Sequence, residues 1–388
     1  MSRRIVDTIG LDKSNKKSQP LYQQIRRQLR NVINKDTILH EGDRLPSISV
    51  LAKELDVNYR TIKTAFDLLA KEGLIKIEPG KGAIVTRKNA LAAWKATQKL
   101  SMSFITCRHC DGFFVHVNEG IKRFALEHKL DYSLADVGNS RERFIDATES
   151  LVECVDGLLV LPLERPGYAE ALCKALESGV KIVQIDRSLP GVETSSVESD
   201  HFTGAYLATN HLLKEHGRPV YYLGFVDKPS SCRAWVMGWG QAMSGYNYRD
   251  LEPYCFALGV YEEEVSDRDM GLEYDVKAAL HLFESRDEDV YCIYAGNDFI
   301  ARGVYQAAAR KGLTVGRNLF VVGYNDMPFC TSFSVPLSTI RQLPSIEQIG
   351  YEAAKVLYEH MIGIIQRPVR RLLPVELVVR ESSVLTKT

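Results

Sequence analysis

Short apolar segments alternate with amphipathic segments along residues 102–388, and this alternation restricts the possible folds more than any other feature of the chain. GLLVLP at 157–162 and KIVQI at 181–185 are examples, and each precedes a segment with helical spacing of apolar residues. Among the helices that this spacing predicts are those at 140–153, 167–178, 234–244 and 298–311. Strands joined by crossover helices lie parallel in a sheet that is covered on both faces. The strand–helix units outnumber those of one doubly wound sheet, so the sequence predicts an α/β domain with two lobes.

A different pattern occupies the first 88 residues. One predicted helix begins at Pro20, and two shorter helices at 48–55 and 59–72 are separated by a tight turn, which is typical of a helix-turn-helix. Two alternating segments around the Gly-rich turn at 79–82 predict a two-stranded wing. The predicted organisation is a winged helix-turn-helix domain over 1–88, a partly helical linker over 89–101 and the two-lobed body over 102–388.

The net charge of zero is the sum of two opposite regions. Among the 49 Lys and Arg and 49 Asp and Glu of the chain, residues 1–88 contain 18 basic and 10 acidic side chains, a net charge of +8. The rest of the chain contains 31 basic and 39 acidic side chains, a net charge of −8. A basic module joined to an acidic body is expected when only the module meets a polyanion such as DNA.

Three segments of the basic module carry a family resemblance: PLYQQIRRQLR at 20–30, EGDRLPSISVLAKELDVNYRTIKTAFDLLAKEGLI at 41–75, and PGKGAIV at 79–85. With these segments the module resembles the winged helix-turn-helix domain of the GntR family of bacterial transcriptional regulators. The resemblance implies that the module binds DNA. The predicted DNA-binding residues are Arg44, Ser47, Asn58, Tyr59, Arg60, Thr61, Lys63, Lys81 and Gly82.

The chemistry of these residues agrees with the resemblance. Asn58 is placed to cap the recognition helix, whose first turn then faces the DNA. Tyr59 stands where the family often has Arg, so an Arg contact is missing or is moved to Arg60, which leaves the operator sequence open. The alternative is that Arg44, Lys63 and Lys81 are only solvated surface charges.

The body carries a second resemblance, in eight ordered segments. With them it resembles the effector domain of the LacI/GalR family and the periplasmic sugar-binding proteins, which implies two α/β lobes with a ligand cleft at the carboxyl ends of the strands. The segments are CDGFFVHVNEGIKRFA at 110–125, VDGLLVLP at 155–162, IDRSLPG at 185–191, GAYLATNHLL at 204–213, AGNDFIARGVYQA at 295–307, VVGYNDMPF at 321–329, PLSTIRQ at 336–342 and LPVELVVRESS at 373–383.

The loops after the predicted strands hold the side chains that a sugar needs. Carboxylates, amides and Arg bind hydroxyl groups, and aromatic rings pack on the C–H faces of a sugar ring. Trp235 stands where the family often has a second Arg, which suggests a less anionic effector. The residues that the resemblance places at the cleft are Asp111, Phe113, Phe114, Glu164, Asp186, Arg187, Arg233, Trp235, Asn297, Asn325 and Gln342.

Some of these residues have a purely structural alternative. Phe113 and Phe114 could belong to the core at the start of a helix, and Asp186 and Arg187 could form a structural salt bridge. Asn297 could serve only as a helix cap, because Asn is favoured there in any case.

The cysteines and the N-terminus set the expected compartment. Cys107 and Cys110 form a single CxxC without a second ligand pair, so neither a metal site nor a cofactor is predicted. The polar, basic N-terminus has no apolar signal sequence, and the chain has no apolar run long enough to span a membrane, so we expect a cytoplasmic protein with reduced thiols.

The order of the two modules is similar to that of bacterial arabinose repressors. We therefore expect a homodimeric regulator, without enzymatic activity, that represses a carbohydrate operon until a small neutral sugar such as arabinose or fucose binds. An enzyme would need a nucleophile with a base, a phosphate loop or a metal cluster, and the sequence offers none of them. A dimeric DNA-binding scaffold that senses nothing and a sugar-binding transport component remain as alternatives.

Overall fold

The computed structural model describes residues 5, 9–11, 20–34, 39–78, 82–86, 100–107, 112–258 and 268–385. Nearly all of the predicted linker lies outside these residues, and so do the predicted site residues Lys81 and Asp111 and the second cysteine of the CxxC, Cys110.

The N-terminal domain is a winged helix-turn-helix. Apolar side chains of its three helices, among them Ile25, Ile62 and Phe66, form one buried core. The two strands of the wing pair antiparallel, with Ile75 opposite Val85. Its elements are α1 (Leu21–Asn34), α2 (Ile48–Glu54), α3 (Tyr59–Lys71), β1 (Ile75–Glu78) and β2 (Gly82–Val85).

The body is built from alternating strands and helices, as predicted. Its elements are β3 (Ser101–Thr106), α4 (Gly112–Glu127), β4 (Asp131–Asp136), α5 (Arg141–Val152), β5 (Gly157–Val160), α6 (Tyr168–Glu177), β6 (Lys181–Ile185), β7 (Ser195–Ser199), α7 (His201–His216), β8 (Val220–Gly224), α8 (Ser230–Gly245), β9 (Cys255–Ala257), α9 (Arg268–Ser285), β10 (Tyr291–Ala295), α10 (Asp298–Lys311), β11 (Leu319–Tyr324), β12 (Ser338–Gln342), α11 (Ile346–Met361), β13 (Arg370–Leu373) and β14 (Val375–Val378), with 3-10 turns at Glu252–Tyr254, Pro328–Thr331 and Glu381–Ser383.

These strands form two six-stranded sheets, one for each lobe. The sheet of lobe 1 has the order β13-β7-β6-β5-β3-β4, and all of its strand pairs are parallel. The sheet of lobe 2 has the order β14-β12-β11-β10-β8-β9, in which only the pairing of β14 with β12 is antiparallel. Strands such as β5 and β10 are buried along their whole length. Helices on both faces explain why these strands read as continuous apolar runs.

The chain crosses between the lobes three times. The crossings follow β7 at Asp200, follow β12 at 343–345, and lie between β13 and β14 at Pro374. Two backbone hydrogen bonds hold the three crossing segments side by side: Asp200 N donates to Leu373 O (2.9 Å), and Leu343 N donates to Pro374 O (2.9 Å). The crossings therefore form one narrow hinge.

The helix bounds show where sequence patterns fall short. The helices predicted at 140–153, 167–178 and 298–311 end within one residue of their predicted limits. The helix predicted at 234–244 instead begins at Ser230, because small residues of its first turn hide the apolar period. Among the described residues, no helix combines the length and the apolar character that crossing a membrane requires.

Candidate functional site

The first turn of α3 presents polar and aromatic side chains to solvent. Asn58 caps this helix, as predicted: its Oδ1 accepts a hydrogen bond from Arg60 N at 2.8 Å. The cap leaves the next side chains exposed, and Tyr59 retains 50% of its surface. Lys63 lies one turn further along and pairs with Asp67 at 3.2 Å. A capped, exposed helix N-terminus is suited to phosphate oxygens and base edges.

Two predicted phosphate contacts have structural partners of their own. The Ser47 hydroxyl caps α2 by accepting a hydrogen bond from Val50 N (3.3 Å). Arg44 is exposed, and its backbone forms a bridge with Ile84 of the wing. Arg44 therefore lies between α2 and the wing. Gly82 is exposed at the start of β2 with φ +86°, a conformation that strains any residue with a side chain.

The second candidate site is a cleft between the two lobes. It contains about 580 Å³ of empty space, open solvent included. Lobe 1 contributes residues that follow β3 and β6, and lobe 2 contributes residues that follow β8, β10 and β11. Seven of the predicted sugar-binding residues line it together: Phe113, Phe114, Asp186, Arg187, Trp235, Asn297 and Asn325.

Aromatic rings form much of the cleft wall. Phe113 and Phe114 pack edge to face, with ring centroids 5.6 Å apart. Their structural alternative also holds, since both are buried in the core while they line the cleft. Trp235 faces them from α8 and packs edge to face on His201, at 5.5 Å. A wall of this kind suits the C–H faces of a small ring.

Five lining residues were not predicted. Phe225 directly follows β8, and Phe299 follows Asn297 by two positions, so the rule that pocket residues come after strands could have found both. The others belong to the loop and first turn of α8, a segment whose helical start the sequence did not reveal. The five residues are Phe225, Pro229, Ser231, Cys232 and Phe299.

A buried ion pair forms the charged part of the cleft in lobe 1. Arg187 donates to Asp186 Oδ2 from both Nε (3.2 Å) and Nη2 (2.9 Å). His201 Nε2 donates to the backbone oxygen of Asp186 (2.9 Å) and lies 3.3 Å from its Oδ1. Burial raises the pKa of Asp186, but Arg187 and His201 outweigh this effect and hold it at about 2. The pair is a structural salt bridge that also faces the ligand space.

Two amides form the polar part of the cleft in lobe 2. Asn297 Oδ1 caps α10 by accepting a hydrogen bond from Ile300 N (2.9 Å), and Asn325 Oδ1 accepts one from Gln342 Nε2 (2.9 Å). Both amide oxygens thus already accept a hydrogen bond from the protein. Neither amide nitrogen has a hydrogen-bond partner in the described part of the chain. Gln342 does not line the cleft but orients Asn325. These two NH₂ groups are available to donate to ligand hydroxyl oxygens.

A second buried aspartate lies behind these amides. Asp298 is fully buried and accepts hydrogen bonds from Thr339 Oγ1 (2.6 Å) and Met327 N (2.9 Å). Burial raises its pKa to about 6, because these neutral donors only partly replace the lost hydration.

Backbone strain is also concentrated at the cleft. Asp186 has φ +65°, Asn325 has φ +113° and Asp326 has φ +51°, all in the left-handed region that costs free energy for residues other than glycine. Arg380 donates to Asp326 Oδ1 at 2.6 Å and holds the last of these turns. Strained turns at the ends of β6 and β11 aim side chains into the space between the lobes.

Glu164 and Arg233 lie apart from the cavity lining. Glu164 belongs to lobe 1 and Arg233 to lobe 2, and the Arg233 Nη1 atom lies 2.8 Å from Glu164 Oε2. The two residues predicted to bind sugar are therefore paired with each other across the lobes.

Five of the described cysteines are free thiols: Cys173, Cys232, Cys255, Cys292 and Cys330. Cys107, Cys232, Cys292 and Cys330 are buried, whereas Cys154 is exposed. Within the described ranges, no group of His, Cys, Asp and Glu side chains is arranged to hold a metal ion.

Comparisons with known proteins agree with the two-part architecture. The family model for bacterial regulatory proteins of the GntR family matches residues 21–85, and the model for the periplasmic binding protein-like domain matches residues 209–383. The arabinose metabolism transcriptional repressor of Geobacillus stearothermophilus is 23% identical over 383 residues, which are 95% of this chain and 98% of that protein. The repressor CytR of Escherichia coli K12 is 24% identical over 277 residues, which are 71% of this chain and 76% of that protein.

Solved structures show the same fold for the body. A complex of the transcriptional regulator CelR with cellobiose covers 87% of this chain and 99% of its own, with a TM-score of 0.64 and 21% identity. A LacI-family regulator from Enterococcus faecium with bound ribose covers 74% of this chain and all of its own, with a TM-score of 0.62 and 20% identity.

A winged helix-turn-helix domain joined to a two-lobed body with an interlobe cleft defines the class: transcriptional regulators with an effector domain. Within this class, the N-terminal domain matches the GntR family of bacterial regulatory proteins, and the body matches the periplasmic binding protein-like domain and has the fold of the solved LacI-family regulators. The relatives named above are regulators and not enzymes, which fits a non-enzymatic role.

Proposed function

We propose that the protein is a homodimeric repressor of a carbohydrate operon that leaves its operator when a small neutral sugar binds in the cleft. The DNA-binding domain would comprise residues 1–88, and residues 102–388 would sense the sugar and form the dimer. The arrangement of the cleft carries the proposal: aromatic walls surround two amide NH₂ groups that have no partner among the residues that the structure describes.

The charges of the cleft favour a neutral effector. Among the described residues that line the cleft, Arg187 is the one cationic side chain, and Asp186 already neutralises it at 2.9 Å. An anionic ligand would have to compete with a buried carboxylate for the same guanidinium, which is unfavourable. A pentose or a deoxyhexose, such as arabinose or fucose, has the hydroxyl groups for Asn297 and Asn325 and C–H faces for the aromatic rings.

The proposed mechanism couples the hinge to the DNA. A sugar that contacts both lobes binds the closed arrangement more tightly and therefore increases its population. The changed lobe angle alters the spacing of the two DNA-binding domains in the dimer. A coupling of roughly 1–3 kcal/mol is typical of such regulators and would weaken operator binding about 5- to 150-fold.

Calorimetric titration with a panel of sugars tests the effector. We expect heat with arabinose or fucose, and a reduced affinity in Trp235→Ala, which removes part of the wall. Saturable binding of a sugar that also lowers operator affinity supports the proposal. If no sugar binds, the chain is instead a DNA-binding scaffold; if sugar binds but operator affinity does not change, it acts as a binding component alone.

The DNA contact is tested on an operator selected from random DNA by the wild-type chain. We expect Arg60→Ala and Lys63→Ala each to weaken binding, and a lost phosphate contact reduces the salt dependence by about one ion. Lys122→Ala, an exposed lysine of the body, is the matched control. Unchanged operator affinity in both Arg60→Ala and Lys63→Ala would contradict the assignment of α3 as the recognition helix.

A further inference from the structure

The ion pair of Glu164 and Arg233 spans the two lobes outside the ligand space. Glu164 follows β5 of lobe 1, and Arg233 lies in the first turn of α8 in lobe 2. Arg233 is fixed on its own lobe, because its Nη1 also donates to the backbone oxygen of Asp227 at 2.6 Å. Neither side chain lines the cavity, so neither is placed to touch a ligand.

Other contacts also join the two lobes directly. Ser188 N of lobe 1 donates to Ser230 Oγ of lobe 2 at 2.9 Å. The terminal methyl group of Met327 in lobe 2 packs against Gly112 of lobe 1, where a side chain would leave it no room. Opening of the cleft would therefore separate these contacts along with the ion pair.

We propose that Glu164 and Arg233 form a latch that holds the lobes closed and so sets the affinity for the effector without contacting it. The side chains are 19% and 39% exposed, so water screens their attraction only in part. When the lobes open, both charges return to bulk water and the attraction is lost. The effect on lobe closure is independent of the proposed function, whereas the effect on affinity rests on it.

A charge exchange tests the latch. Arg233→Glu and Glu164→Arg each place like charges across the lobes, whereas the double variant restores an attractive pair with reversed polarity. Glu164→Gln removes the charge with little change of shape, so it still tests the latch if a charge-reversal variant does not fold. Lys174→Glu is the control, because Lys174 forms a pair of the same length (2.8 Å) with Glu170, but within lobe 1.

The first readout is lobe separation in the ligand-free protein. Energy transfer is measured between fluorophores on unnatural amino acids at Leu126 of lobe 1 and Met237 of lobe 2, which are 81% and 64% exposed. We expect both single variants and Glu164→Gln to shift the population toward larger separations, and the double variant to return it. Distances that are unchanged in all variants would overturn the latch.

The second readout is the affinity for the sugar identified by calorimetry. We expect each single variant to weaken binding roughly two- to fivefold, as for a partly exposed ion pair, and the exchange to restore it. If the pair contacted the sugar directly, the exchange would leave binding impaired, and the latch would be wrong. If no sugar binds at all, the proposed function fails, while the distance measurements still decide the latch.

Discussion

The two lobes each bury an aspartate beside the cleft, and the two carboxylates are stabilised in opposite ways. Asp186 of lobe 1 has a cationic partner, and its pKa is held at about 2. Asp298 of lobe 2 has only neutral donors, and burial raises its pKa to about 6. Equal burial therefore gives opposite pKa shifts, because the partners of each carboxylate decide the balance.

The opposite shifts predict opposite dependences of stability on pH. Asp186 has a folded-state pKa below the ordinary 3.8, so its stabilisation is present above about pH 4 and is lost as the pH falls toward 2. Asp298 has a folded-state pKa above 3.8, so its ionisation destabilises the folded state. This destabilisation is absent below about pH 4 and complete above about pH 6. Acid should therefore reduce the stabilisation that Asp186 gives lobe 1 and remove the destabilisation that Asp298 causes in lobe 2.

The largest expected effect is that of Asp186→Asn. It removes the buried carboxylate that Arg187 and His201 contact, which should lower the free energy of unfolding at pH 7 by about 3–5 kcal/mol. Urea denaturation measures this loss. Asp146→Asn on the exposed face of α5 is the control and should change stability little. A loss below about 1 kcal/mol would mean that water reaches Arg187 and that the pair is not truly buried.

Asp298→Asn should have the opposite sign. The new side chain keeps an acceptor for Met327 N and gains a donor for Thr339 Oγ1, while the cost of burying a charge disappears. We expect the free energy of unfolding to rise by about 2–3 kcal/mol at pH 7, with no gain near pH 4. Denaturation series at both pH values measure the difference between variant and wild type. A gain that is equal at both would show that Asp298 does not titrate in this range.

Thr339→Val should have a smaller effect through the same carboxylate. It removes the 2.6 Å hydrogen bond to Asp298, raises the pKa of that carboxyl further and lowers stability at pH 7 by about 1–2 kcal/mol. The loss should shrink when Asp298→Asn is already present, which a double-mutant cycle measures. Fully additive losses would contradict a direct contact between the two side chains.

The smallest expected change concerns binding and not stability. Asn325→Gly retains the backbone at φ +113° and removes the amide, so we expect about tenfold weaker sugar binding with little loss of stability. Asn247→Gly has φ +68° and lies in the loop after α8, away from the cleft, and is the matched control. Titration calorimetry and thermal unfolding compare the two. Equal affinities would show that the amide of Asn325 does not contact the sugar.

Much of the fold was predictable because local signals agree with tertiary packing. For α10, Asn297 is a favoured cap and Gly312, at φ +70°, is a favoured stop, and the observed bounds are those predicted. The apolar strands are buried on both faces, so their composition alone identified them.

The cleft was less predictable, because its contacts join residues that are distant in sequence. The sequence places Glu164 and Arg233 in suitable loops, but only the closed lobes bring them together. The role of Gln342 is likewise hidden, because its partner Asn325 follows a different strand. Phe225 and Phe299 also line the cleft, but an aromatic residue after a strand reads the same in the sequence whether it faces a cleft or the core.

The narrow hinge limits how far the movement of the lobes can differ from one ligand to another. Three crossing segments tied side by side leave the lobes little freedom except rotation about one axis. A ligand in the cleft can then change only the angle between the lobes. Two ligands that close the lobes to the same angle therefore have the same effect on DNA binding. Discrimination between sugars must therefore be completed at the aromatic and amide walls, before the hinge moves.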